Sequence, residues 1–480
     1  MDGSGNIRKN DNDNDNENPN DNENLQFSIF NLQFSISPYT LNTLIHNAMI
    51  VNEGRTFKGG ILIEDDHIAS TFEGDAPLSF RGKGEVDAEG MYLLPGIIDT
   101  HVHFREPGLT HKADIAHESR AALAGGVTSV MDMPNVVPPT TTTELWQERM
   151  ELGALHSRTN YTYYIGATSP LTLPSGKGQE RVPIKLFMGS STGNMLVDKR
   201  EALLNIFQTA AAQGRIIVTH CEDTPRINER MTEAKRMWGE DPSVEHHAWI
   251  RDEEACYRSS ALAVELAKET GARLHIAHIT TARELTLLSP DGTEGNVSGE
   301  VCVPHLIFCD EDYTRLGTRI KCNPAVKSKA DRDALRKALA EKLLLTIATD
   351  HAPHLLSEKQ GGCARAASGM PMIQFSLVSM LGLVDEGVLS IERMVDAMCH
   401  QPALLFGIRQ RGFIRPGYKA DIVLVSRQEW TLQKEDILSK CGWSPLEGHT
   451  FQWRVQQTYV NGRCAYNNGT IHDDIRGEAI

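Results

Sequence analysis

No apolar run in these 480 residues approaches the roughly 20 that a membrane-spanning helix requires. The polar N-terminus also lacks the charged-then-apolar layout of a secretory leader, so a cytoplasmic protein with no membrane partner is expected. Basic clusters are missing as well. With 48 lysines and arginines against 63 acidic residues the formal charge is −15, which argues against nucleic-acid or anionic-membrane partners and leaves a small molecule. The nine cysteines contain no CxxC pair, which argues for reduced thiols and against a disulfide framework or a thiolate zinc site. Cys221, beside His220, reads as packing.

What the chain does have is length and alternation. Its size suits one large α/β barrel carrying a smaller appendage. Residues 1–38 alternate Asn with Asp and then repeat Leu25-Gln26-Phe27-Ser28-Ile29 as Leu32-Gln33-Phe34-Ser35-Ile36. Such a polar tract cannot bury enough apolar surface to offset its ordering entropy, and disorder is expected. Short β runs broken by turns follow, in Thr43 to Val51, Gly60 to Glu64 and His67 to Ala69. The same texture returns in Ala420 to Val425 and Val455 to Gly462, where Asn461-Gly462 signals a hairpin. Neither set makes a sheet alone, so residues 39–94 and 412–474 are assigned to one small β-sandwich domain built from both chain ends.

Between residues 95 and 411, eight strand-like runs alternate with helical ones. They are Gly96 to His101, Thr128 to Met133, Tyr161 to Gly166, Ile184 to Met188, Ile216 to His220, Leu274 to His278, Val301 to Phe308 and Leu343 to Asp350. Amphipathic segments such as Ala113 to Gly125, Lys199 to Gln213, Glu254 to Glu269 and Ala330 to Glu341 fit outer helices. Eight is the count of a closed (β/α)8 TIM-type barrel, in which chemistry collects at the carboxyl ends of the strands.

His101 and His103 close the first run at i, i+2, the spacing that sends both rings to one face of a strand. Two neutral imidazoles supply half of a four-coordinate metal site. His220 ends the fifth run, His278 the sixth and Asp350 the eighth, while His275 should face the other way and reads as packed. Lys185 stands second in the otherwise apolar Ile184-Lys185-Leu186-Phe187-Met188, where a free ammonium is costly without a partner. Two explanations stay open: an ion pair with a carboxylate, or carbamylation on Nζ, whose two oxygens can bridge a pair of metals. Taken singly each position has a mundane explanation, but six metal-competent groups at five strand ends are hard to dismiss together. Charge balance favours two divalent ions: carbamate, Asp350 and a bridging hydroxide leave about one positive charge, enough to bring the pKa of bound water from 15.7 to roughly 7. Nitrogen and oxygen ligands suit zinc, and manganese or cobalt could use the same cage.

Five strings carry a resemblance: Asp99-Thr100-His101-Val102-His103-Phe104-Arg105-Glu106-Pro107-Gly108, Met133-Pro134-Asn135, Ile184-Lys185-Leu186-Phe187, Lys321-Cys322-Asn323-Pro324 and Asp350-His351-Ala352-Pro353-His354. Together they resemble the amidohydrolase superfamily, and within it the dihydroorotases of the cyclic-amide branch, over about Thr40 to Asn468. The resemblance implies a (β/α)8 barrel with a small β domain, two zinc ions bridged by carbamylated Lys185, and frequent homodimers. It also implies the reversible reaction N-carbamoyl-L-aspartate ⇌ L-dihydroorotate plus water, the third step of pyrimidine (UMP) synthesis. Under it His101, His103 and Asp350 serve the first metal and His220 and His278 the second, with Lys185 between them. Asp350 is then also the acid/base, taking a proton from the metal-bridging hydroxide as that attacks the ring amide carbonyl and passing it to the departing nitrogen.

Arg105 governs the choice of substrate within this family. Its guanidinium offers a planar match to the carboxylate of dihydroorotate. Allantoinases are similar in Glu106-Pro107-Gly108 but usually have no arginine here, and hydantoinases generally lack the whole string. The alternative for Arg105 is a surface ion pair. Asn135 and His354 would assist at the carboxylate and Asn323 would hydrogen-bond the ring, each with a turn-residue alternative. Gly361-Gly362 to Met370 is expected to form a mobile loop in which Ser368 and Gly369 offer backbone groups to substrate. Ala366-Ala367-Ser368-Gly369 lacks the family's proline, so a looser loop is expected, and the family's paired histidines after strand seven are reduced to His305, read as structural. The rival activity is hydrolysis of allantoin or a hydantoin. The rival class is a non-catalytic scaffold, disfavoured because such relatives typically lose metal ligands.

Overall fold

The protein is described by a computed structural model over residues 42–80, 84–176, 179–189, 195–289 and 296–480, so the Asn/Asp-rich tail of residues 1–38 lies outside the described residues. Parallel strands run through Ile97–Val102, Val127–Asp132, Asn160–Tyr163 with its continuation Ile165–Gly166, Ile184–Phe187, Ile216–His220, Arg273–Ile276, Val297–Cys302 and Thr346–Ala348. Each pairs in parallel with the next. A bridge from Val102 to His351 joins first to last and closes the eight positions into a barrel. These strands are buried on both faces, which is why they read as near-continuous apolar runs.

Helices pack outside the ring. Ile115–Ala124, Thr143–His156, Thr224–Trp238, Glu253–Thr270 and Lys329–Ala340 start at Asp114, Thr142, Asp223, Asp252 and Ser328, each accepting a backbone N–H in its own first turn. Such caps contribute about 1 kcal/mol apiece. Arg200–Ala212 fills the remaining predicted position without a side-chain cap.

The seventh strand departs from expectation. It spans Val297–Cys302, and the apolar stretch after it is a short helix, Val303–Ile307, with Pro304 in its first turn. Proline is tolerated there because the first turn's N–H groups have no intrahelical partner. His305 rides on this helix, buried, with Nε2 3.1 Å from the Pro324 carbonyl.

The second layer is a nine-stranded sheet drawn from both chain ends. Its seam is Met91–Pro95 running antiparallel to Ile422–Ser426. Ile45, Ile50, Ile61, Ile63, Leu93, Ile422 and Leu424 form its apolar centre. The predicted hairpin turns at Asn461 and Gly462, both left-handed with φ of 48° and 76°. Thr458 donates to the Leu123 carbonyl at 2.8 Å, tying the sheet to the first barrel helix. The last residues return to the barrel, where Tyr161 exchanges backbone hydrogen bonds with Glu478 and Ile480.

Candidate metal centre

The carboxyl ends of the barrel strands bring the six predicted ligands to one narrow cavity. His101 and His103 leave the first strand on the same side, as their spacing requires. Their Nε2 atoms lie 3.5 and 3.0 Å from Asp350 Oδ1. Across the cavity His220 Nδ1 and His278 Nε2 approach to 3.0 Å. The His101 and His278 ring centroids are 5.3 Å apart, so the two ligand groups adjoin. Lys185, 1 % exposed, lines the same cavity, and its Nζ has no hydrogen-bond partner among the described residues.

The backbone contributes to this convergence. Arg105, His278 and Asp350 hold left-handed φ values of 67°, 38° and 47°, so the chain turns sharply where strands one, six and eight reach the rim. Such conformations in non-glycine residues persist only where their surroundings hold them.

Burial sets most of the titration behaviour. It pushes His103 down to about 4 and lowers His220, His278 and the Lys185 ammonium. These imidazoles are therefore neutral and have lone pairs to give. Burial alone would raise the Asp350 carboxyl, but His101, His103 and Lys185 hold it well below the usual range. The donor set thus comprises imidazoles, an ionised carboxylate and an orphaned amine lining one cavity, and it fits two divalent ions well. A carbamate on Lys185 would give its Nζ the partners it lacks.

The predicted substrate residues divide into two groups. Arg105, Asn135, Asn323, Ser368 and Gly369 line the cavity. His354 does not. It stands behind Arg105, with Nε2 3.2 Å from Nη2, and its Nδ1 lies 3.2 Å from Lys112 Nζ. Arg105 is 2 % exposed, so the alternative of a surface ion pair is excluded. Its Nε donates to the Pro353 carbonyl at 3.2 Å, and among the described residues no carboxylate pairs with it. Asn135 Oδ1 meets His103 Nδ1 at 2.8 Å, so this residue steers a ligand as well as facing the cavity. His275 is packed away from the site, between Ser298 Oγ at 2.8 Å and Thr346 Oγ1 at 3.1 Å.

Several residues here escaped the sequence reading. Glu300 Oε1 lies 2.8 Å from His101 Nδ1. Glu222 approaches His220 Nε2 at 3.1 Å and is paired with Arg251. His247 Nε2 reaches Asn323 Oδ1 at 3.1 Å. The loop expected to be loose is tethered by two buried lysines. Lys359 Nζ donates to the carbonyls of Lys321, Ala367 and Gly369 at 3.0, 2.7 and 2.8 Å, and Lys321 Nζ to that of Ala366. A charged residue inside an otherwise uncharged strand was the available signal for Glu300. The lysines gave none, since their partners are backbone atoms.

The arrangement has counterparts. The profile of the Amidohydrolase family matches residues 92–465. A dihydroorotase of Halobacterium salinarum is 35% identical over 395 residues, covering 80% of this chain and 89% of its own. An allantoinase of Bacillus velezensis is 31% identical over 434 residues, covering 89% and 94%. Among solved structures, the L-hydantoinase (dihydropyrimidinase) of Arthrobacter aurescens superposes with a TM-score of 0.82 at 26% identity, covering 90% of this chain and 97% of that one. Sequence match, barrel architecture and the cluster of ligands at its mouth agree, and the chain belongs to the amidohydrolase family, in the branch that hydrolyses cyclic amides.

Proposed function

We propose that this cyclic amidohydrolase is a dihydroorotase, interconverting L-dihydroorotate and N-carbamoyl-L-aspartate. The observation that carries the reading is Arg105. A guanidinium held in a cavity wall at 2 % exposure, with no carboxylate in salt-bridge contact among the described residues, calls for an anion from the substrate. Dihydroorotate brings one, whereas allantoin and simple hydantoins do not. The relative at 35% identity named a dihydroorotase supports the same choice.

In this reading His101, His103 and Asp350 would hold one divalent ion and His220 and His278 the other, with Lys185, once carbamylated, as the ligand common to both. Zinc bound by these residues would supply Lewis acidity at the amide carbonyl and make water nucleophilic near neutral pH. Asp350 accepts the proton from the attacking water as its oxygen bonds to the ring carbonyl carbon. As the ring C–N bond breaks, Asp350 returns that proton to the departing nitrogen. Arg105 grips the carboxylate, with His354 steering the guanidinium from behind. Asn323, oriented by His247, and the backbone at Ser368 and Gly369 hold the ring. Lys359 and Lys321 fix the loop on which Ser368 and Gly369 sit. A homodimer completes the proposal, and light scattering of the full chain measures it.

The deciding experiment compares ring opening of dihydroorotate, allantoin and hydantoin by the zinc-loaded chain, with and without Arg105→Ala. Turnover of dihydroorotate that collapses in the variant is the expected result. Preferential turnover of allantoin or hydantoin, unaffected by the substitution, would overturn the assignment in favour of a carboxylate-free substrate.

A further inference from the structure

We propose that Glu300 is a positioning residue for the metal centre, one carboxylate that orients a ligand from each of the two groups. It is the fourth residue of the seventh barrel strand, Val297–Cys302, and is 1 % exposed. It is not part of the cavity wall, so it does not face substrate. Its contacts go instead to the ligands and their neighbours. Oε1 lies 2.8 Å from His101 Nδ1 and accepts from the backbone N–H of His278 at 3.2 Å. Oε2 accepts from Thr100 Oγ1 at 3.2 Å, and the Cys302 thiol donates to Oε1 at 3.6 Å.

Each contact has a consequence for binding an ion. A carboxylate at Nδ1 fixes the His101 proton on that nitrogen, which leaves the Nε2 lone pair free and directed at the cavity. It also makes the imidazole a stronger donor. At His278 the effect is on the backbone, whose left-handed φ of 38° is unfavourable for a histidine. Accepting its N–H holds the strand end in the geometry that turns the ring towards His220. Thr100, one residue before His101, directs the second carboxylate oxygen, so the first strand supplies both a ligand and a brace for the group that orients it. One side chain on strand seven thereby couples the ends of strands one and six.

The inference rests on the two-ion reading above, and the test separates them. The metal-stripped full chain is titrated with zinc against a chromophoric chelator, alongside Glu300→Gln and Thr100→Val. The Gln variant keeps the shape and an acceptor for His101 but removes the charge, and zinc affinity should fall roughly 10–100-fold with near-UV circular dichroism unchanged. Thr100→Val removes one donor to the carboxylate and should weaken zinc binding roughly two- to fivefold. A folded Glu300→Gln chain that binds zinc as tightly as the unaltered protein overturns the proposal. If that variant does not fold, unchanged affinity in Thr100→Val does the same. An unaltered chain that takes up no zinc overturns the two-ion reading and this inference with it.

Discussion

Replacing Lys185 with methionine should move stability and function in opposite directions. The Nζ is buried at 1 % exposure without a hydrogen-bond partner among the described residues. An amine held in that way costs roughly 1–3 kcal/mol relative to a satisfied or absent polar group. Methionine follows the same stem and is apolar, so the metal-free variant should gain about that amount. At a denaturant slope of roughly 3 kcal/mol/M, the urea midpoint of the metal-free protein should rise by about 0.3–1 M. Function should fall, because the variant cannot form the proposed carbamate that would join the two ligand groups. Metal analysis after gel filtration should drop from two equivalents to one or none, and kcat/KM by at least ~10³-fold, equivalent to about 4 kcal/mol of lost transition-state stabilisation. The two readouts together are diagnostic, since a lysine that merely packs would show the first without the second. A variant that retains both metal equivalents and wild-type turnover would refute the bridging role.

Other expectations follow from neighbouring side chains. Arg105→Lys keeps the charge but loses the planar fork, and kcat/KM for dihydroorotate should fall by ~10–10³-fold while zinc content is unchanged. Asp350→Asn removes the proposed proton carrier, and kcat should fall at least ~10²-fold in chains reloaded with zinc. Stripping the metals with a chelator should lower thermal stability, and zinc at a hundred times its dissociation constant should restore about 2.7 kcal/mol per site, read as the shift in unfolding midpoint. Burial pushes Lys359 down to about 7 from the ordinary 10.5. Between those values the unfolded chain binds the extra proton, so this residue makes stability climb as pH rises from about 7 to 10.5. Lys359→Met should remove that part of the slope in urea midpoints, and should raise KM because the Ala366–Gly369 backbone loses its tether.

The parts of the site legible in the sequence were those carried by local pattern. His101 and His103 share a strand face because of the pleat, and Lys185 stood out because charge is rare inside a buried strand. The sheet drawn from both ends was legible as texture, but its seam between Met91–Pro95 and Ile422–Ser426 was not, since pairing across more than three hundred residues leaves no local trace. Strand seven was misjudged for a specific reason. Val301 to Phe308 is apolar enough for a strand, but Pro304 suits the first turn of a helix, and the true strand includes the small and charged Ser298, Gly299 and Glu300. That shift is what hid Glu300. Lys359 was invisible for the opposite reason: its acceptors are carbonyl oxygens, which every residue has.

The seam also governs when the molecule can be completed during synthesis. Met91–Pro95 leaves the ribosome with one edge unsatisfied, and the segment that covers it, Ile422–Ser426, is made more than three hundred residues later. For that interval an apolar strand edge bearing Leu93 and Leu94 is open to mispairing with other nascent chains. Chaperone supply should therefore limit the soluble yield of this protein, and chains that stall after the barrel but before residue 422 should be recovered as aggregate even though every proposed metal ligand has already been translated.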